Sequence, residues 1–467
     1  MDKKLFALLS GCLLSGIAEA GQTKPNVIII YTDDHGTLDA NCFGAPDLCT
    51  PNIDALATYG VRFTQFYAAP VSSASRACLL TGQYAKRTGL TGNAGWTGLR
   101  PEKETIAERM KANGYQTACI GKWHLGSWKE YRPTAQGFDY FWGFLGGCID
   151  SYSHFFYWGG PNMHDLWRND EEIYDPGKFF AAETMKEVRG YIKNREKDKP
   201  FFLYHPTQLP HGPVAIPAIH PEVAANPALT PIEREYASMV KLLDDNVGVI
   251  LAELEQLGIA DRTVVVFSAD NGHEIYYSQK GRCEKPYRNL QTGQLFDNYA
   301  DKYRSSVSGD IFNGNAGMAG LKRSNLEGGV RIPLVFYGPG IVPSGKRSDA
   351  LVANYDFLPT MAEWLKLGDM RQKDGRSFLS QLLKEKTESA HSYIVFGSNT
   401  GPAIVTADGW KLRYYLSRNT IELFFLPDDP QELNDLSTIH VDKVSELKSL
   451  LLKECGGNLR NGVNKAG

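Results

Sequence analysis

At 467 residues, 42% of them apolar, the chain can form two domains or one large domain with an appendage, around a sizeable core. A formal net charge of −3 excludes the basic footprint of a nucleic-acid-binding protein. The eight cysteines contain no CxxC pair, which argues against a structural zinc, and they are too scattered for a disulfide scaffold.

In chain order, Lys3 and Lys4 precede an apolar run from Leu5 to Ile17, and "AEA" at 18–20 is a small-x-small cleavage site. Residues 1–20 therefore read as a signal peptide, and the mature chain as exported to the periplasm. "LSGC" at 9–12 offers an alternative, a lipid anchor through Cys12. The run is short for a membrane span, and no later stretch reads as transmembrane. Cys42 and Cys49 are close enough in sequence to pair.

"NVIIIYT" (26–32) is a β-branched run that stops at "DDHG". Continuous apolar character ending in acids predicts a buried parallel strand with function at its carboxyl end. Residues 117–121, 201–205 and 263–272 repeat the pattern. Helical spacing covers 102–113, 178–195 and 231–257. This alternation predicts an α/β fold with a mostly parallel central sheet flanked by helices. Residues 273–315 are polar and irregular, too long for a plain connection. After about 345 a helix, three strands and a helix near 441–454 predict a small C-terminal antiparallel sheet carrying a helix. The expected division is 24–345 for a catalytic domain and 346–467 for a C-terminal subdomain.

Asp33 and Asp34 end one strand, and Asp270 and Asn271 end another. Three carboxylates and an amide oxygen are hard donors suited to Ca²⁺ or Mg²⁺, although either pair alone would serve equally as a cap. Lys122 and His124 in "GKWHLG", His211 in "LPHGP" and Lys322 in "GLKRSNLEGG" would form a polyanion site if they converge there. In "VSSASRACLLTG" (71–82), Ser72 lacks the G-x-S-x-G elbow of a plain serine nucleophile. It stands where a helix begins, a place that favours negative charge.

"SSASRACLLTG" resembles the sulfatase signature: Cys or Ser, any residue, Pro or Ala, then Ser-Arg before a Leu-Thr-Gly run. Ser72, Ala74 and Arg76 match its positions. "TPNIDALATYGVRFT", "IGKWHLG", "LPHGP", "SADNG", "GLKRSNLEGGVRIP" and "GWKL…ELFFLPDDPQELNDLS" follow in family order. The resemblance implies the alkaline-phosphatase-like fold and oxidation of residue 72 to Cα-formylglycine by a formylglycine-generating maturase. Ser stands at 72 where many members have Cys, which fits a Ser-type enzyme and equally an engineered replacement of Cys. It further implies one Ca²⁺ held by Asp33, Asp34, Ser72, Asp270 and Asn271. Arg76 and Lys122 would hold the oxygens of residue 72, and one hydroxyl of the hydrated aldehyde would attack sulfur. His124 would take a proton from the second hydroxyl and expel sulfate. His211 would serve as general acid, with Lys322 on the sulfate.

The family also places substrate subsites in the region of 144–170, where His154, His164 and Arg168 could bind hydroxyl or uronate groups. Packing roles fit each of these three equally well. The substrate implied is a sulfated carbohydrate: a glycosaminoglycan such as chondroitin or dermatan, or a similar galacto-configured glycan, attacked from its end. Two other readings share these residues. One is a phosphate or phosphonate monoester hydrolase. The other is an inactive sulfated-glycan binder in which Ser72 stays serine.

Overall fold

The structure, a computed structural model, describes residues 24–462 except 38, 46–47, 158–162, 275–276, 279–280, 285–287, 290–316, 385–387 and 399. The signal peptide with Cys12 and most of the polar segment 273–315 lie outside the described residues.

A ten-stranded sheet organises the chain. Its strands are β1 (Asn26–Thr32), β2 (Val61–Phe63), β3 (Gln116–Lys122), β4 (Tyr140–Phe144), β5 (Trp167–Arg168) and β6 (Glu171–Glu172). They continue with β7 (Phe201–Pro206), β8 (Thr263–Ala269), β9 (Leu334–Tyr337) and β10 (Lys346–Ser348). The spatial order is β10-β2-β9-β8-β1-β7-β3-β4-β5-β6. The central run β8-β1-β7-β3-β4 is parallel throughout, while β9 joins β8 and β2, and β5 joins β4, antiparallel.

All seven residues of β1 are buried, because helices cover both faces of the sheet. Val27, Ile29 and Tyr31 face one hydrophobic cluster, and Ile28 and Ile30 face the other. The strand period of two thus feeds two cores from one apolar run. α1 (Pro51–Thr58), α4 (Phe180–Asn194) and α5 (Pro231–Gln256) pack on the second face. α2 (Ser72–Thr81), α3 (Ile106–Ala112) and α6 (Phe357–Leu365) pack on the first. Two starts follow from local chemistry: Thr105 with Glu108 and Thr230 with Glu233 form capping boxes, each satisfying two otherwise orphaned backbone donors.

A four-stranded antiparallel sheet follows: β11 (Tyr393–Ser398), β12 (Gly401–Thr406), β13 (Trp410–Tyr415) and β14 (Thr420–Phe425), in that order. α7 (Val441–Glu454) packs on it through Leu447 and Leu451. The fold class is as expected, an alkaline-phosphatase-like α/β architecture with a small C-terminal sheet and helix. The pairing that spacing permits between Cys42 and Cys49 is not made. Both thiols are free, and Cys49 Sγ donates instead to a Glu222 carboxylate oxygen at 3.1 Å. No helix among the described residues is long and apolar enough to cross a membrane.

Candidate active site

The parallel strands end at one edge, and the expected residues meet there. Asp33 and Asp34 leave β1, Asp270 and Asn271 leave β8, Lys122 ends β3 and His211 follows β7. This is where open α/β sheets place their ligand sites. Asp34 (φ 59°) and His124 (φ 56°) occupy the left-handed region without being glycine, strain that persists where packing and bonding over-determine the backbone.

Ser72 is the first residue of α2. Its hydroxyl donates to Asp270 Oδ2 and lies 3.2 Å from Asp33 Oδ1 and 3.4 Å from Lys122 Nζ. Arg76, one turn along α2, reaches Asp270 Oδ2 at 2.9 Å and Asp33 Oδ1 at 3.6 Å. Lys122 Nζ donates to Asp33 Oδ2 at 2.5 Å. Lys322 Nζ contacts both oxygens of Asp34, at 2.6 and 2.9 Å. Three carboxylates therefore face three cations, all buried, so an added divalent ion would leave the cluster net positive toward an anion.

Burial alone would raise the Asp34 carboxyl, but Lys322, His211 and Lys122 hold it well below the usual carboxylate range. Burial, then the neighbouring Asp33, raises Asp270. Burial lowers Lys122 despite Asp33. It opposes the charge on Lys322 as well, yet Asp34 raises that ammonium.

The donor set fits a hard cation. Asn271 Nδ2 donates to Asp34 Oδ1 at 2.8 Å and to Gly272 O at 2.9 Å. Its fully buried Oδ1 has no hydrogen-bond partner among the described residues, an orphan acceptor that a cation would satisfy. Asp33, Asp34 and His211 also present one ligand atom each within 4.8 Å of one another. His211 was not expected on the metal side of the site.

His211 Nδ1 lies 2.6 Å from Gly212 O. A carbonyl only accepts, so Nδ1 carries the proton and Nε2 faces Asp34 Oδ2 at 3.5 Å. Burial, with Lys122 and Lys322 outweighing Asp34, pushes His211 down to about 3. His124 is held well below its ordinary value by burial and then by Lys122 and Arg76. Its buried Nδ1 has no hydrogen-bond partner among the described residues.

The three subsite candidates bond to residues that follow their segment, between 172 and 187. His154 is buried and its Nε2 lies 3.0 Å from Lys178 O. His164 Nδ1 lies 2.9 Å from Glu172 and stacks on Tyr174 at 4.3 Å between centroids. Arg168, about half exposed, pairs with Glu187. Sequence reasoning passed over Ser73, whose hydroxyl donates to His124 O at 2.6 Å and accepts from Ala94 N at 2.8 Å. No local signal separates it from its serine neighbours.

The family model described as "Sulfatase" matches residues 25–367. The chain belongs to the sulfatase family. A second model, "N-sulphoglucosamine sulphohydrolase, C-terminal", matches residues 319–455. The chain is 27% identical to an arylsulfatase of Klebsiella aerogenes over 433 residues, covering 78% of this chain and 92% of that one. It is 28% identical to an N-acetylgalactosamine-6-O-sulfatase of Bacteroides thetaiotaomicron over 524 residues, covering 96% of each. The solved structure of Ps i-CgsB in complex with k-i-k-neocarrahexaose superimposes with a TM-score of 0.77 at 26% identity, covering 94% of this chain and 95% of that one. The protein is a sulfuric ester hydrolase.

Proposed function

We propose that this sulfatase removes sulfate from the end of a sulfated glycan built on galacto-configured sugars, a glycosaminoglycan above all, with residue 72 working as Cα-formylglycine. The observation that carries the reading is the setting of Ser72: its hydroxyl is enclosed by Asp33, Asp270 and Lys122, inside the sulfatase signature. Similarity to a relative named N-acetylgalactosamine-6-O-sulfatase and to a structure in complex with k-i-k-neocarrahexaose supports a glycan substrate.

Asp33, Asp34, Asp270, Asn271 and residue 72 would hold one Ca²⁺. That ion supplies Lewis acidity toward sulfate oxygens and lowers the pKa of a hydroxyl bound to it. Arg76 and Lys122 hold the oxygens of residue 72 in place. Lys322 neutralises the sulfate. His124, kept neutral by burial and by the neighbouring cations, accepts a proton from residue 72. An aldehyde at 72 matters because expelling sulfate regenerates it, whereas a serine sulfate would have to be hydrolysed at sulfur. His211, with Nδ1–H fixed on Gly212 O, would carry on Nε2, once the ring is protonated in the complex, the proton it gives to the leaving oxygen. Export to the periplasm through residues 1–20 and modification by a maturase complete the reading, with 24–345 as the catalytic unit and 346–467 as its C-terminal companion.

The test is mass spectrometry of the tryptic peptide Phe63–Arg76 from a maturation-competent host, followed by assays on glycans sulfated at known positions. Loss of two hydrogens at Ser72, trapped by a hydrazine, together with sulfate release is the expected result. An unmodified serine from such a host would overturn the turnover reading and leave a glycan-binding protein. Faster hydrolysis of an aryl phosphate than of the same aryl sulfate would make it a phosphatase.

A further inference from the structure

Segment 317–333 carries Lys322 into the site and touches three other parts of the molecule. It holds the approach to Ser72: Arg323 N donates to Pro70 O at 2.7 Å, and Ala68 N donates to Val330 O at 2.8 Å. It backs the Asp270–Asn271 turn, since Gly272 N donates to Gly329 O at 3.0 Å. The approach is so close that a Cβ on Gly272 would lie 1.9 Å from Gly328 O. Its third neighbour is the C-terminal sheet. Asn325 Nδ2 donates to Gly401 O on β12 at 3.0 Å and to Tyr414 O on β13 at 3.4 Å.

A fully buried charge cluster reinforces that third contact. Lys411 Nζ, from β13, lies 2.9 Å from Glu327 Oε1 and 2.9 Å from Glu432 Oε1. Glu432 Oε2 accepts from Glu327 N at 2.7 Å. Tyr67, on the strand leading to Ser72, donates its hydroxyl to Glu327 Oε2 at 2.9 Å. All three charged residues are 0% exposed.

Such a cluster is a poor way to gain stability, because desolvation offsets most of the attraction. What it supplies is one geometry, since each of the four carboxylate oxygens meets a different named group or the same ammonium at 2.7 to 2.9 Å. Functional groups need such definition, to about half an ångström. Arg323, beside Lys322, sits at φ 77° without being glycine, a conformation that needs support from outside the segment.

We propose that Glu327 and Lys411 are positioning residues for the reaction: the C-terminal sheet sets, through segment 317–333, where Lys322 stands and how the chain enters Ser72. The inference rests on the reading of Lys322 and Ser72 as active-site groups. Neither Glu327 nor Lys411 touches the reacting atoms.

The test compares Glu327→Gln and Tyr67→Phe with Tyr393→Phe, which loses a 3.0 Å bond to Glu454 elsewhere in the C-terminal unit. Three readouts apply to all: a crystal structure, kcat/KM on an aryl sulfate, and calorimetric affinity for inorganic sulfate, each below the melting of every variant. We expect Lys322 Nζ to leave hydrogen-bond range of Asp34 in Glu327→Gln. Affinity for sulfate and kcat/KM should fall together, about tenfold in Glu327→Gln and about threefold in Tyr67→Phe. Tyr393→Phe should stay within about twofold of wild type.

An unmoved Lys322 with unchanged sulfate affinity in the first two variants would refute the proposal, as would an equal loss in Tyr393→Phe. If Glu327→Gln does not fold, Tyr67→Phe decides. If the wild type hydrolyses no sulfate ester, the functional reading falls, and the position of Lys322 and the affinity for sulfate still judge this one.

Discussion

Replacing His211 with glutamine tests the general acid. In the free protein burial and two lysines push this imidazole down to about 3. Protonating it near pH 7 therefore costs about 5 kcal/mol, at ~1.36 kcal/mol per pH unit. A sulfate ester brings the missing negative charge. One unit charge about 4 Å away contributes ~4 kcal/mol at an effective dielectric of about 20. That attraction offsets part of the cost and a bound Ca²⁺ would add to that cost, so the proposed general acid requires His211 to gain its proton only in the complex. His211→Gln is then expected to lower kcat by about 10² to 10⁴-fold on a sugar sulfate, whose alcohol is a poor leaving group. The loss should be far smaller on an aryl sulfate, whose phenolate leaves unaided. The alkaline limb of the kcat profile, where His211 loses its proton in the complex, should vanish in the variant. Steady-state kinetics on both substrates across pH measures this. Equal losses on the two substrates, or an alkaline limb that survives, would sink the assignment.

Calcium is expected to raise the Tm of the wild type, by the equivalent of ~2.7 kcal/mol at about 100 times Kd. Asn271→Ala, which removes the orphan acceptor, should show a much weaker rise in a calorimetric titration, and equal shifts would exclude Asn271 as a ligand. Asp244 is fully buried and accepts from Asn52 N, Ile53 N and Asn52 Nδ2 at 2.8 to 2.9 Å. Burial still raises it to about 6. A raised carboxyl contributes stability that is complete below its ordinary pKa and is lost as pH rises through about 6. Asp244→Asn should therefore flatten the fall in unfolding free energy between about pH 4 and 6, and an unchanged slope in denaturant titrations would contradict this. Arg168→Ala should raise KM for a sulfated oligosaccharide about fivefold, the equivalent of ~1 kcal/mol, while leaving an aryl sulfate alone. No change on either would remove Arg168 from the subsites.

Much of this protein is written locally. β1 is a continuous apolar run because helices cover both its faces, and the acids that end it mark the functional edge. Helical spacing marks 102–113 and 231–257, and the structure sets their starts at Ile106 and Pro231, where Thr105 with Glu108 and Thr230 with Glu233 form capping boxes. The cluster at that edge was legible because Asp33, Asp34, Asp270 and Asn271 follow, and Lys122 ends, a strand that reads clearly as a strand. β9 and β10 were not singled out. Each is only a few residues long, and pairing partners rather than propensity make them strands.

The sequence by itself determined the strand–helix alternation, the chemistry at the strand ends and the signature around Ser72, because periodicity, caps and motifs act over a few residues. Only the tertiary structure decided the rest. Lys322 meets Asp34 across 288 positions, and Ser72 meets Asp270 across 198. His154 turns inward to a backbone carbonyl, and His211 comes within 3.5 Å of Asp34. Lys411 and Glu432, in a C-terminal strand and the loop that follows the sheet, are buried against Glu327. Contacts of that range depend on strand order and on which surfaces pack together. Both are properties of the whole chain, settled by burying two cores at once, and no local pattern encodes them.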